Sequence, residues 1–299
     1  MNGIFRNLLS FIIVSFLLAA ANSYAGDMIY DPVSMDPLHP DPDYPPAFHE
    51  LLIPSHGVML TGFMLGANGK GPHPTALLLH GFPGNEKNLD LAQSLRRAGY
   101  NVLFFHYRGA WGSQGDYGIK QQADDVAAVL GYVRENADKL GVDAQKLSVI
   151  GHSLGGFTAL RAASADKEID CAVGLAAANL GEWAHRSDEE MQGFSDYTDQ
   201  LFMLNNFTGA KALAELTTDI EALDLRNLAA SFDGRSVLLI TGDKDSAVPA
   251  EVQARIAVAY EKTPGIKLTA EVIPGDHSFS ISRIRLQRMV IEWMNKNCR

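Results

Sequence analysis

Apolar runs of strand length recur along the chain, separated by stretches with helical spacing. "HELLIP" and "GVMLTGFML" predict a β-hairpin or two neighbouring strands. Further runs follow at "TALLLH" (75–80), "NVLFFHY" (101–107), "KLSVIG" (146–151), "CAVGLAA" (171–177), "SVLLITG" (236–242) and "KLTAEVIP" (267–274). Between them the spacing predicts helices over Leu89 to Ala98, Gln121 to Leu140, Leu154 to Ala165 and Glu251 to Glu261, with a last helix from Ile281 to Asn295. Strands that are apolar on both faces and alternate with helices imply a mostly parallel sheet covered on both sides. The pattern predicts one doubly wound α/β domain from about residue 48 to residue 299, without internal repeats. The interval from about 179 to 234 breaks the rhythm with amphipathic pieces, and it is too long for a structureless loop. It predicts a small helical lid inserted between two core strands.

The N-terminal region has a different texture. Residues 8 to 21 are almost wholly apolar, Arg6 is the one charge before them, and "NSYA" follows with small residues at Ser23 and Ala25. That layout predicts a signal peptide over residues 1–25, cleaved after Ala25, and an exported protein, periplasmic or secreted. The run is short for a spanning helix of roughly 20 residues, and no cysteine near the cleavage site offers a lipid attachment point. Residues 26–47 are rich in proline and aspartate, which predicts an extended arm lying on the domain. The aspartates there fit no calcium-loop spacing. Composition adds that 46% of residues are hydrophobic, which suits a sizeable core, and that the formal net charge is -10 with no basic block. Nucleic acid is therefore not an expected partner. Cys171 and Cys298 are the two cysteines; Cys171 reads as a small buried residue, and the fold is not expected to rely on a bridge.

Chemistry concentrates at strand ends. "VIGHSLGGF" places Gly151-His152-Ser153-Leu154-Gly155, a G-x-S-x-G elbow, between a strand and a helix. Such a turn lifts the serine above the carboxyl edge of the sheet, over a helix N-terminus that suits a developing oxyanion. A serine hydroxyl needs a base, and the base needs an orienting carboxylate. "EVIPGDHSF" supplies His277 just past the last strand, with Asp276 next to it, while "TGDKDSAVP" supplies Asp243 and Asp245 as further candidate acids. Asp245 is favoured because it lies deeper in its loop, with room to curl under the histidine. Two N–H donors are also required; Leu154 follows the nucleophile, and Phe82 lies in "HGFPG" after the strand ending at His80. His80 itself reads as a packed residue that orients this loop.

From about residue 48 onward the chain resembles the α/β-hydrolase superfamily, through "HGFPG", "HYRGAWGS", "GHSLGG", "TGDKDSAVP" and "GDHSF" in that order. Within it the sequence is similar to the branch related to serine aminopeptidases and to the catalytic domain of prolyl-oligopeptidase-like peptidases. The resemblance implies the α/β-hydrolase fold, a triad of Ser153, Asp245 and His277, and an oxyanion hole from Phe82 and Leu154. It favours Asp245 over Asp243 through the G-x-x-D pattern from Gly242 to Asp245. One departure is His106, where many relatives carry aspartate two residues before the arginine of the Arg108-Gly109 loop. That difference weakens inference of substrate by analogy, not of mechanism.

The expectation is a serine hydrolase cleaving an ester or amide bond of a small molecule or peptide, without cofactor or metal; no H-E-x-x-H or similar ligand cluster is present. The alternatives are a carboxylesterase or thioesterase lacking peptidase activity and, in another class, a binding protein on the same fold. In the lid, Trp183, Phe194, Tyr197, Phe202, Met203 and Phe207 serve equally as pocket or as lid core. Glu182, Asp188, Glu189, Glu190 and Asp196 are the lid carboxylates that a peptidase could use to hold a free amino terminus.

Overall fold

The computed structural model describes residues 30–298. The signal segment expected over residues 1–25 lies outside them. The sheet starts with β1 (Ala47–Ser55) and β2 (Val58–Gly66), an antiparallel pair joined at His56-Gly57. Both turn residues have positive φ, 46° and 83°, as a tight hairpin turn demands. Six further strands follow: β3 (His73–Leu79), β4 (Asn101–Phe105), β5 (Val142–His152), β6 (Ile169–Leu175), β7 (Ser236–Gly242) and β8 (Lys267–Ile273). They form one eight-stranded sheet in the order β1-β2-β4-β3-β5-β6-β7-β8. β2 pairs antiparallel with β4, and every pairing from β4 to β8 is parallel. All carboxyl ends of that parallel stretch therefore open on one edge, where ligands bind in such sheets.

Helices cover both faces because the central strands are apolar on both. α1 (Leu89–Arg97) lies on one face, and its Leu91 and Leu95 pack with Val102, Phe104, Ile150 and Val173. α2 (Gln122–Glu135), a short α3 (Ala137–Leu140) and α4 (Leu154–Ala165) lie on the other, where Val126, Val129, Phe157 and Leu160 pack with Leu77, Leu103 and Val149. The helix expected over Gln121 to Leu140 is thus two. Asn136, at φ -109° and ψ 16°, leaves the helical path, and its side chain donates to the Tyr132 carbonyl at 2.8 Å. Between β6 and β7 lie a 3₁₀ segment (Leu180–His185), α5 (Asp188–Thr198), α6 (Gly209–Thr217) and two more 3₁₀ segments, Ile220–Leu223 and Leu225–Phe232. The last of these belongs to the main core, since Leu225 and Phe232 are buried there and Phe232 packs on Tyr260 at 5.3 Å between rings. α7 (Ala250–Glu261) and α8 (Arg283–Asn297) complete the domain.

Residues 32–46 form neither helix nor strand. They are held to the domain by Arg97, which donates to the carbonyls of Pro32 and Val33, and by Asn68, whose side-chain oxygen accepts the Asp41 N–H.

The cysteines depart from expectation. Cys171 and Cys298 form a disulfide that closes 127 residues of sequence. α8 runs along the face that carries Cys171, and its last turn delivers Cys298 to the start of β6; both cysteines are buried. Strand and helix are remote in sequence, so only the packing of α8 reveals the pairing.

Candidate active site

The chain turns sharply between β5 and α4. A Cβ at Gly151 would lie 1.9 Å from the Gly155 carbonyl oxygen, and one at Gly155 would lie 2.2 Å from that of Leu79. Glycine is therefore required because backbones touch, and the turn closes around Ser153. Ser153 has φ 57° and ψ -121°, a conformation that is costly for a residue with a side chain. It caps α4 by position, yet its hydroxyl makes no capping hydrogen bond. Backbone bonds hold the strained residue on both sides: its N–H donates to the Leu175 carbonyl at 2.9 Å, and its carbonyl accepts from Ala178 at 3.1 Å.

His277 follows β8 on the same edge. Its Nδ1 lies 2.7 Å from Asp245 Oδ2, and the Asp245 side chain is fully buried. The other oxygen, Oδ1, accepts the N–H groups of Ala247 at 2.9 Å and Val248 at 2.8 Å, so the carboxylate has one orientation. Asp243 is directed elsewhere, its Oδ1 accepting the Gly275 N–H at 2.9 Å. Asp276 binds the N–H and hydroxyl of Ser280, and the Ser280 N–H is the main reason its carboxyl lies below the ordinary range. Of the three candidate acids, Asp245 is the one that meets the His277 ring. His152, a residue that the sequence reading passed over, donates from Nε2 to the His277 carbonyl at 2.7 Å and packs ring to ring at 4.7 Å. Its place inside the G-x-S-x-G motif was the available signal.

The loop after β3 passes directly beside Ser153. A Cβ on Gly81 would lie 2.9 Å from both the Ser153 Cβ and the His152 carbonyl oxygen, so Phe82 stands next to the serine. Leu154 opens α4, where first-turn N–H groups have no partner within the helix. His80 lies beneath this loop and donates from Nδ1 to the Gly81 carbonyl at 2.8 Å; burial pulls its pKa down to about 4. His106 packs against His80 at 5.1 Å and stacks with Trp111 at 6.0 Å, and burial lowers its pKa to about 3. The Trp111 indole in turn donates to the Pro83 carbonyl at 2.7 Å. Arg108, in the adjacent loop, is fixed by the buried Asp125 at 2.6 Å. His106, with Trp111, thus braces the loop through His80 and Pro83.

Ser153 and His277 line a cleft of about 300 Å³ together with Phe82, Leu154, Trp183 and Phe194. Its wall is largely apolar and includes an aromatic cluster, in which Phe82 packs on Phe194 at 5.3 Å and Phe194 on Trp183 at 4.6 Å. Tyr197 also reaches the cleft. Phe207 packs on Tyr117 at 4.8 Å in the core, Met203 is partly buried against that core, and Phe202 is 93% exposed. The six aromatic or apolar lid residues thus divide, with Trp183, Phe194 and Tyr197 facing the site. Of the lid carboxylates, Glu182 lines the cleft. Among the described residues no group of three or more His, Cys, Asp or Glu side chains is arranged to hold a metal ion.

A family model described as the alpha/beta hydrolase fold matches residues 74–208. An uncharacterised 31.7 kDa protein from the traX-finO intergenic region of Escherichia coli is 32% identical over 124 residues, covering 40% of this chain and 42% of that protein. The chain thus matches under half the length of that relative. An esterase of Pyrococcus furiosus superposes with a TM-score of 0.66 at 21% identity, over 86% of this chain and 93% of the esterase. An acylaminoacyl peptidase of Pyrococcus horikoshii gives 0.63 at 15% identity, over 85% of this chain and 42% of the peptidase. The resemblance carried by the five motifs and the fold class implied by it are both borne out.

Proposed function

The chain has the α/β-hydrolase fold, and on that premise we propose that it is an exported serine hydrolase cleaving an ester or amide bond through an acyl-enzyme. The observation that carries this reading is that a strained serine with an uncommitted hydroxyl shares one cleft with a histidine oriented by a buried aspartate. In the proposed sequence His277 Nε2 takes the Ser153 proton as Oγ attacks the carbonyl carbon. The resulting oxyanion is held by the N–H groups of Phe82 and Leu154. His277 returns the proton to the leaving alcohol or amine, water then attacks the acyl-serine with the same base, and the acid departs. Asp245 keeps the histidine proton on Nδ1 and stabilises the imidazolium. The buried Cys171–Cys298 bridge supports the export part, since disulfides persist in oxidising compartments.

A carboxylesterase without peptidase activity is the second reading, and the aromatic cluster in the cleft wall favours it. The deciding assay uses a nitrophenyl ester and the matching nitroanilide with the mature chain and Ser153→Ala. Amide turnover lost in the variant would establish a peptidase, and ester turnover alone an esterase. Labelling of the native chain by a fluorophosphonate, absent in Ser153→Ala, is the accompanying expectation. Unchanged turnover in that variant would refute the mechanism.

A further inference from the structure

The cleft wall carries two charged side chains among the described residues, besides the histidine, and each is already neutralised. Glu182, on the 3₁₀ segment at the start of the lid, is gripped by Arg255 of α7. Nε donates to Oε1 at 2.8 Å and the terminal nitrogen to Oε2 at 2.6 Å, so both carboxylate oxygens are engaged. The Glu182 side chain is 17% exposed and that of Arg255 48%. Arg186 is held by Glu190 at 2.6 Å and lies over the Trp183 ring. Glu190 also accepts the Ser187 N–H, a bond that helps pull its carboxyl down to about 2 and keeps it ionised. The nearby Arg226 is occupied by Asp224 and is not free to replace Arg255.

We propose that this cleft selects substrates whose arm against the lid is uncharged and apolar or aryl. In this proposal Arg255 is a specificity-determining residue, because by saturating Glu182 it withdraws the cleft's one carboxylate from any free α-ammonium. The inference rests on the serine-hydrolase reading above and adds its substrate class. A free amine entering here would leave its hydration shell without gaining a charged partner, which disfavours it. An aryl or alkyl arm instead meets Phe82, Phe194 and Trp183. A 300 Å³ cleft is at the small end for ligand sites, which suits a single ring or a short chain.

The test compares two esters of one skeleton, 4-nitrophenyl 3-phenylpropanoate and the 4-nitrophenyl ester of phenylalanine, which differ by the ammonium. They are assayed near pH 6.5 with the mature chain, Arg255→Gln, and Arg255→Gln combined with Glu182→Gln. The native chain is expected to prefer the neutral ester. Arg255→Gln should shift the ratio of kcat/KM toward the aminoacyl ester by about tenfold, the worth of one charge-assisted contact. The double variant should return the ratio to the native value. Arg255 is half exposed, so folding is expected to survive, and thermal melts of both variants verify it. A native preference for the aminoacyl ester, or a ratio unmoved in folded Arg255→Gln, overturns the proposal alone. Turnover surviving in Ser153→Ala, or of neither ester, overturns the serine-hydrolase reading and the proposal with it.

Discussion

His152 shows how much a single position carries. Burial lowers its pKa to about 4, so it is neutral near pH 7, and the bond to the His277 carbonyl places its proton on Nε2. It thereby fixes the backbone from which the His277 ring projects. The groups that face it are His277, Asp245 and Arg283, and Arg283 is itself anchored on Asp90. His152→Leu is expected to lower kcat about tenfold with KM little changed, as one positioning hydrogen bond allows, while His152→Gln, which keeps a donor, retains most activity. Steady-state kinetics on folded protein check this; equal kcat in Leu and native proteins would deny the positioning role. The acids separate by the same logic. Asp245→Asn should cost about 10³–10⁴-fold in kcat by allowing the wrong histidine tautomer. Asp243→Asn, whose carboxylate serves the Gly275 N–H, should change kcat only a few-fold, within the worth of one hydrogen bond.

At the scale of elements, the lid helix α5 is locally well specified. Ser187 and Glu190 form a capping box, with the Ser187 hydroxyl accepting the Glu190 N–H and the Glu190 carboxylate accepting the Ser187 N–H. Phe194 and Tyr197 then lie on the turns that reach the cleft. Ser187→Ala is expected to destabilise α5 by about 1 kcal/mol, seen as faster amide exchange in residues 188–198. A global loss of activity with unchanged exchange would contradict it. The clasp from Arg255 ties the start of the same insertion to α7. Lid and core are thus joined both by chain connections and by an ion pair beside the cleft.

For the whole molecule, two terms act beyond any one element. The disulfide closes a 127-residue interval, and in the chain-entropy limit such a bridge contributes about 5 kcal/mol. Cys298→Ser should therefore lower the unfolding free energy by about 2–5 kcal/mol, measured by urea denaturation of native and variant chains. The second term is acid sensitivity. His80, His106 and His152 all have folded pKa values lowered mainly by burial, to about 4, 3 and 4. The unfolded chain, titrating near the ordinary value of about 6.5, binds more protons between that pH and the folded values. Stability therefore falls as pH drops from 6.5 toward 4. Urea midpoints measured across that window should decline steadily; a flat profile would mean these histidines are not buried neutral.

The sequence alone determined what is periodic or local. Strand and helix order followed from apolar runs, because a sheet buried on both faces needs strands apolar on both sides. The elbow at Ser153 was legible because backbone collisions demand glycines at fixed offsets. His277 was legible because chain order and strand ends place it on one edge. Tertiary structure turned the preference for Asp245, argued from its loop depth and its G-x-x-D position, into a contact with the imidazole, while Asp243 and Asp276 serve Gly275 and Ser280. It alone decided the Cys171–Cys298 bridge, the bond from His152 and the masking of Glu182 by Arg255. Each joins groups from elements remote along the chain. Their meeting depends on how helices and loops pack across the sheet, and no local spacing encodes it.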